Sequence, residues 1–159
     1  MYLLVKAYYH FNCFVKKAFY KFIYGKRICF GKGVTFRKSV SIAPMGDGVI
    51  NIGNNVFFNH NCSVYAMDSI TIGDGTLFGE NVKVYDHNHI CKNQDIPIKE
   101  QGYSSGPICI GKHCWIASNV VILKGVTIGD NVIVGAGCII YKDVPSNTTV
   151  VCKQELNFK

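Results

Sequence analysis

The sequence predicts a mainly β fold, a solenoid of stacked triangular coils with an amphipathic helix before it and one long loop extruded from it. Three observations predict this: a six-residue aliphatic period, the same register recurring upstream between short breaks, and a basic aromatic segment of helical spacing at the start. Ile110, Ile116, Ile122, Ile128, Val134 and Ile140 recur every six residues, and Cys114, Val120, Val126, Val132, Cys138 and Val144 stand four residues after each. A period of six fits neither a helix nor a simple hairpin, but it fits one short strand plus a corner, three of which close a triangle. The large aliphatic at position one and the small residue at position five point inward, and Gly at position two relieves crowding at the corner.

The register continues upstream through Phe30, Phe36 and Ile42, then Ile52, Phe58 and Val64, then Ile72, Phe78 and Val84. Breaks are expected at Pro44 to Asn51, at Tyr65 to Thr71 and at Tyr85 to Cys109. The chain therefore divides into residues 1–27 as a helix, 28–150 as the solenoid with loop 85–107, and 151–159 as a tail. With 159 residues and 48% hydrophobic composition, one domain holds enough apolar surface for a continuous core.

Within residues 1–27, Leu4, Ala7, Tyr8, Phe11, Phe14, Val15, Ala18, Phe19 and Phe22 keep helical spacing, and Lys6, Lys16, Lys17 and Lys21 are expected on the other face. Residues 1–46 hold nine of the seventeen Lys and Arg and none of the ten acids, so the whole net charge of +7 comes from one end. Two readings stay open. In one, the apolar face covers the first coil or a neighbouring subunit and the lysines are solvated. In the other, the helix lies on an anionic bilayer. Nucleic acid is not expected as a partner, because the positive charge is confined to one short helix. The lysines interrupt any apolar run near the ~18 residues that a membrane span needs, and they follow rather than precede the apolar stretch as a signal peptide requires. The expected compartment is the cytoplasm.

Of eight cysteines, Cys62, Cys114 and Cys138 occupy the small inward position, where a thiol packs as a small hydrophobe. Neither paired CxxC spacing nor a Cys and His finger is present, so no metal is expected and a disulfide framework is not. Regular coils carry no chemistry of their own, so function is expected on the longest insert, residues 85–107. His87 and His89 stand at its root. An imidazole there suits general base work near neutral pH, against the alternative of a surface histidine with no role.

Residues 28–150 resemble the hexapeptide-repeat acyltransferases, most specifically at PICIGKHCWIASNVVILKGVTIGDNVIVGAGCIIYKDVP, residues 107–145, which is similar to the maltose, galactoside and xenobiotic O-acetyltransferase branch. The resemblance implies a left-handed parallel β-helix, a homotrimer with sites between prisms, and acetyl-CoA as co-substrate. It implies that a histidine deprotonates a sugar hydroxyl, and aligning NVKVYDHNH places that role on His89, with His87 as the alternate. It further implies Asn59, and more weakly Asn61, in the acceptor pocket, with Tyr85 and Asp86 at the loop root on the acceptor side. On the coenzyme side it implies Trp115, Ala117, Ala136, Gly137 and Lys142, the last as a point charge for phosphates. Asn59 and Asn61 are equally read as corner residues, Trp115 as subunit packing and Lys142 as a solvated charge. Tyr103, Ser104, Ser105, Asp95 and Glu100 of the loop suit a polyhydroxylated ligand.

Two departures stand out. Ala117 replaces a frequent Gly, and the chain ends VVCKQELNFK where the family has a Gly-x-Pro-Ala-Lys or Arg turn. The expected function is acetyl-CoA-dependent O-acetylation of a sugar in surface polysaccharide biosynthesis, with peripheral contact to the inner face of the membrane through residues 1–27. The alternatives are N-acetylation of an amino sugar, a zinc enzyme of the γ-carbonic anhydrase type using His60, His87 and His89, or a catalytically silent scaffold.

Overall fold

Alternating inward side chains build the architecture coil by coil in the computed structural model, which describes residues 2–153, with side chains from residue 7. Helix α1 (Tyr2–Tyr24) leads through a turn of 3-10 helix into the prism. The first coil is β1 (Ile28–Phe30), β2 (Thr35–Phe36) and β3 (Ser41–Pro44), and the second is β4 (Val49–Ile52), β5 (Phe57–Phe58) and β6 (Ser63–Ala66). The third is β7 (Ser69–Ile72), β8 (Leu77–Phe78) and β9 (Lys83–Tyr85), from which the insert leaves as a hairpin of β10 (His87–His89) and β11 (Tyr103–Ser105). Coil four is β12 (Ile108–Ile110), β13 (Trp115–Ile116) and β14 (Val121–Ile122), coil five is β15 (Thr127–Ile128), β16 (Ile133–Val134) and β17 (Ile139–Ile140), and β18 (Thr149–Val150) begins a sixth.

Every neighbouring pair in the three walls is parallel, and the walls are β1-β4-β7-β12-β15, β2-β5-β8-β13-β16-β18 and β3-β6-β9-β14-β17, here the first, second and third faces. In-register pairing stacks Phe58 on Phe78 and Val84 on Ile122. The Phe58 and Phe78 rings lie parallel with centroids 4.6 Å apart, inside the range favoured for offset stacking. All of the expected inward residues from Phe36 to Val144 are buried, with Phe30 partly so.

Two expected breaks are corrected. Half of Pro44 to Asn51 and most of Tyr65 to Thr71 are strand, and the chain turns only around residues 45–48 and 67–68. A strand of period two lengthens from two residues to four without losing its inward face, so Ile50, Ala66 and Ile70 join the core. Ile108, within the third expected break, joins it as well. Corners need a left-handed residue, and Asn55, Asn61, Asn81, Asn119, Asn131 and Asn147 supply it with φ between 54° and 61°. At the corner between the first and second faces the coils approach so closely that a Cβ on Gly73 would lie 2.6 Å from the carbonyl carbon of Gly111, which is why position two is glycine there.

The helix caps the prism the opposite way round from the expected apolar cap. Within the stack, the carbonyls of Val56 and Cys62 accept from Thr35 and Ser41 of the coil before. Their counterparts in the first coil, Val34 and Val40, have no coil before them, and α1 supplies the missing donors. Lys17 Nζ and Cys13 Sγ both reach the Val34 carbonyl at 3.2 Å, Lys16 Nζ and Tyr20 Oη reach that of Val40 at 3.5 and 3.3 Å, and Lys21 Nζ reaches that of Ile28 at 3.4 Å. Cys13 is buried, with Tyr20 and Tyr24 packed beside it. A row of unpaired carbonyls asks for donors rather than for hydrocarbon, so the lysines turn inward. Tyr8, Phe11, Phe14, Val15, Phe19 and Phe22 are left exposed on the outer face. Lys6 lies outside the residues whose side chains are described.

Candidate active site

Asp86 is the last residue before the hairpin, and its carboxylate is fully buried. A buried charge needs partners, and Asp86 has three. Its Oδ1 accepts from the Met67 N–H at 2.7 Å, its Oδ2 from the Asp68 N–H at 2.8 Å, and Oδ1 stands 3.0 Å from His87 Nδ1. A carboxylate only accepts, so His87 donates from Nδ1, and its basic lone pair is left on Nε2. The same contact closes the corner of the second coil and orients an imidazole at the start of the insert.

Hairpin pairing sets His87 opposite Ser105 and His89 opposite Tyr103. His89 is exposed, and its ring lies 4.4 Å from that of Tyr103, whereas His87 is half-buried between the edges of Tyr85 and Tyr103. Tyr85 in turn stacks on Tyr65 at 5.7 Å, which continues the third face out to the site. The hairpin is tied down at its base by Gly106 N–H to the Asp86 carbonyl at 2.8 Å and by Lys124 Nζ to Ser104 Oγ at 3.0 Å. Its tip is closed by Gln101, which donates to the carbonyls of Asn93 and Ile96 and accepts from the Asn93 N–H. The longest insert is thus an ordered arm that projects two imidazoles.

Other expected site residues fall elsewhere on the prism. Asn59 and Asn61 sit at the corner between the second and third faces in coil two, where Asn61 is a left-handed corner residue and Asn59 Oδ1 accepts from the His60 N–H. Ala117, Ala136 and Gly137 lie at the same corner in coils four and five. Trp115 stands outward on the second face, in register with Leu77 and Ile133. Lys142 lies beyond β17, at the corner that carries the hairpin two coils earlier, with its ammonium 5.5 Å from the Tyr141 ring centre. Tyr85, Asp86, His87, His89 and Lys142 therefore share one corner, and Asn59, Asn61, Ala117, Ala136 and Gly137 share another.

Ile139, Tyr141, Pro145 and Val150 wall a shallow, mainly apolar groove whose charged residues are Lys142 and Asp143. Such a wall fits an apolar chain lying along it. Among the described residues no three His, Cys, Asp or Glu groups come together as metal ligands. His60 faces the Tyr9 ring, away from the hairpin. All eight cysteines are free thiols, and burial together with the neighbouring Cys152 pushes Cys138 up to about 11. Sequence reasoning missed Asp86 as the group that orients His87 and Lys124 as the anchor of the arm. The adjacent Asp-His pair was a visible signal for the first, while the second has none.

A parallel solenoid of hexads with an imidazole-bearing arm is an architecture that hosts more than one activity. Residues 110–142 match the bacterial transferase hexapeptide (six repeats) family. WcaF of Escherichia coli K12, whose name assigns it to acetyl transfer in colanic acid biosynthesis, is 31% identical over 137 residues, which cover 86% of this chain and 69% of WcaF. WbbJ of the same organism, whose name assigns it to O-acetyl transfer in lipopolysaccharide biosynthesis, is 33% identical over 130 residues, covering 77% and 66%. A hexapeptide-repeat acetyltransferase from Vibrio cholerae O1 biovar eltor, solved with acetyl coenzyme A, superposes with a TM-score of 0.60 at 30% identity, covering 74% of this chain and 65% of that one. The chain belongs to the hexapeptide-repeat acyltransferase family, and its fold is a parallel β-solenoid. It spans about half to two thirds of the length of the curated relatives it matches.

Proposed function

We propose that the protein is an acetyl-CoA-dependent O-acetyltransferase that acts on a sugar hydroxyl in surface polysaccharide biosynthesis, working in the cytoplasm as a homotrimer whose α1 helices face the membrane. The single observation that carries this is the arm of residues 86–105, which projects two imidazoles from the same corner of the prism that carries Lys142 two coils on. The names of WcaF and WbbJ support the polysaccharide context. Two corner sets that one prism keeps apart support the trimer, as does the exposed second-face stripe of Leu77, Trp115 and Ile133, which association would cover.

Acetyl-CoA supplies the acetyl group as a thioester. A sugar hydroxyl is too weakly acidic to attack it unaided, so a base must hold the proton as the new bond forms. His89 is that base: it is open to an acceptor, and Tyr103 fixes the plane of its ring. Asp86 and His87 hold the root of the arm in place. The proton then returns to the departing thiolate. A second reading, with His87 as base, is favoured by its hydrogen bond to Asp86, which orients an imidazole as a catalytic carboxylate does.

Thiol release from acetyl-CoA over a panel of sugars and amino sugars tests both. Sugar-dependent release that falls by about 10² or more in His89→Ala is the expected result. A fall of that size in His87→Ala and Asp86→Asn but not in His89→Ala moves the base by two residues. Release with amino sugars alone replaces oxygen by nitrogen as the acceptor, and no release with any acceptor overturns the transferase and leaves a scaffold.

A further inference from the structure

Helix α1 turns its polar side to the protein and its aromatic side to solvent. The face that points away from the first coil carries Phe11, Phe14, Val15, Ala18 and Phe22, and Phe22 is 89% exposed. A soluble surface seldom shows a contiguous apolar patch of this kind without an occupant. No helix among the described residues is long and apolar enough to cross a membrane. The end of the chain that carries the patch is also of one charge sign, since residues 1–46 hold nine basic residues and no acid. A cavity of about 240 Å³ opens between the helix and the first coil, lined by Tyr8, Asn12, Lys16, Arg37, Lys38 and Ser39, with the Arg37 guanidinium 4.3 Å above the Tyr9 ring.

We infer that this face is a docking surface for a bilayer that contains anionic lipid, with Phe11, Phe14 and Phe22 inserted among the acyl chains and the Arg37 and Lys38 cavity at headgroup level. Charge selects this occupant over a second copy of the chain, because two such ends face to face would bring like charges such as Arg37 and Lys38 together with no acid in residues 1–46 to pair with them. Aromatic anchors beside cations are what an interfacial helix needs. The usual arrangement is altered here in one respect: Lys16, Lys17 and Lys21 are spent on the first coil's carbonyls, so the cations that meet the lipid come from the loops around the helix.

A consequence for the acceptor rests on the proposed function. The helix lies across the end of the prism, and the arm leaves two to three coils further along. At about 4.8 Å per coil and about 10 Å for the helix, the two imidazoles stand about 20 Å above the lipid surface. The hydroxyl to be acylated is therefore on a sugar set well back from a lipid anchor, not on the one joined to it.

Flotation of the full chain with phosphatidylcholine vesicles, with and without phosphatidylglycerol, tests the surface. Binding to the anionic vesicles is expected, reduced about tenfold or more by the Phe11→Ser/Phe22→Ser double substitution and more weakly by Arg37→Gln/Lys38→Gln. Acetyl transfer to a soluble sugar and the melting temperature should be unchanged in the double variant, which separates lost docking from lost folding. Absence of binding to anionic vesicles, binding that ignores the double substitution, or a smaller assembly in the double variant by sedimentation would each overturn the inference. Binding without any acetyl transfer would leave the docking surface standing and remove the transferase.

Discussion

Coils four and five and helix α1 both carry apolar residues at a regular period, and they bury opposite sides of the pattern. In the coils Ile116, Ile122, Ile128 and Val134 point inward and Trp115 and Ile133 stay outside. In the helix Phe11, Phe14 and Phe22 stay outside while Lys16, Lys17 and Tyr20 reach inward. The receiving surface makes the difference. Inside the prism the strands pair with the neighbouring coils, so hydrocarbon contact is what remains to be gained. At the first coil the carbonyls of Ile28, Val34 and Val40 are still in need of donors, and leaving such a group unmet costs about as much as a small side chain gains by burial.

The strongest way to break this contrast is inside the prism. Phe58→Ala, which empties the parallel stack with Phe78, should cost about 3–5 kcal/mol in urea or thermal melts, as large-to-small changes do in a rigid core. A cost below about 1 kcal/mol would mean that the coils are not tightly packed. Next comes the cap. Lys16→Met, Lys17→Met and Lys21→Met combined should destabilise by about 2–4 kcal/mol, at roughly 1 kcal/mol for each lost donor; a change within about 0.5 kcal/mol would restore the lysines to simple solvation. A smaller effect is expected at a corner where a side chain again serves backbone. The Asn54 N–H, then its side-chain amide, then the nearby Lys112 and His113 hold the Asp74 carboxyl below the usual carboxylate range. A lowered folded value means that this stabilisation is present above the unfolded carboxylate value near 4 and is lost as pH falls through the folded one. Asp74→Asn should flatten the acid limb of a stability-against-pH curve without moving the alkaline limb.

The same reasoning explains how far the sequence could be read. Ile110 to Val144 was legible because a six-residue repeat constrains each inward position separately, and one slip would expose the whole series. Pro44 to Asn51 was misread because Gly, Asp and Gly at residues 46–48 signal a turn, and nothing in a single coil shows that Val49 and Ile50 already pair with Ser69 and Ile70. The helix itself was legible from its spacing, but its orientation was not, since that depends on carbonyls 17 to 24 residues away along the chain. At the site, His87 and His89 could be picked out by their place at the root of the insert. Asp86 stood visibly next to His87, but its burial could not be read, because its other partners, Met67 and Asp68, belong to a different coil.

The donors that α1 lends to Val34, Val40 and Ile28 also bear on how long the stack is allowed to become. An open end of a parallel solenoid is a template: any extended chain with donors in the right register can add as one more rung, and the new rung presents the same invitation again. By occupying those carbonyls with side chains on a helix, whose own backbone is satisfied within itself, the chain ends the ladder with an element that offers nothing to pair with. Helix α1 therefore works as a terminator of growth at that end, and removing its lysine and tyrosine contacts should turn a discrete particle into one prone to end-on fibre formation.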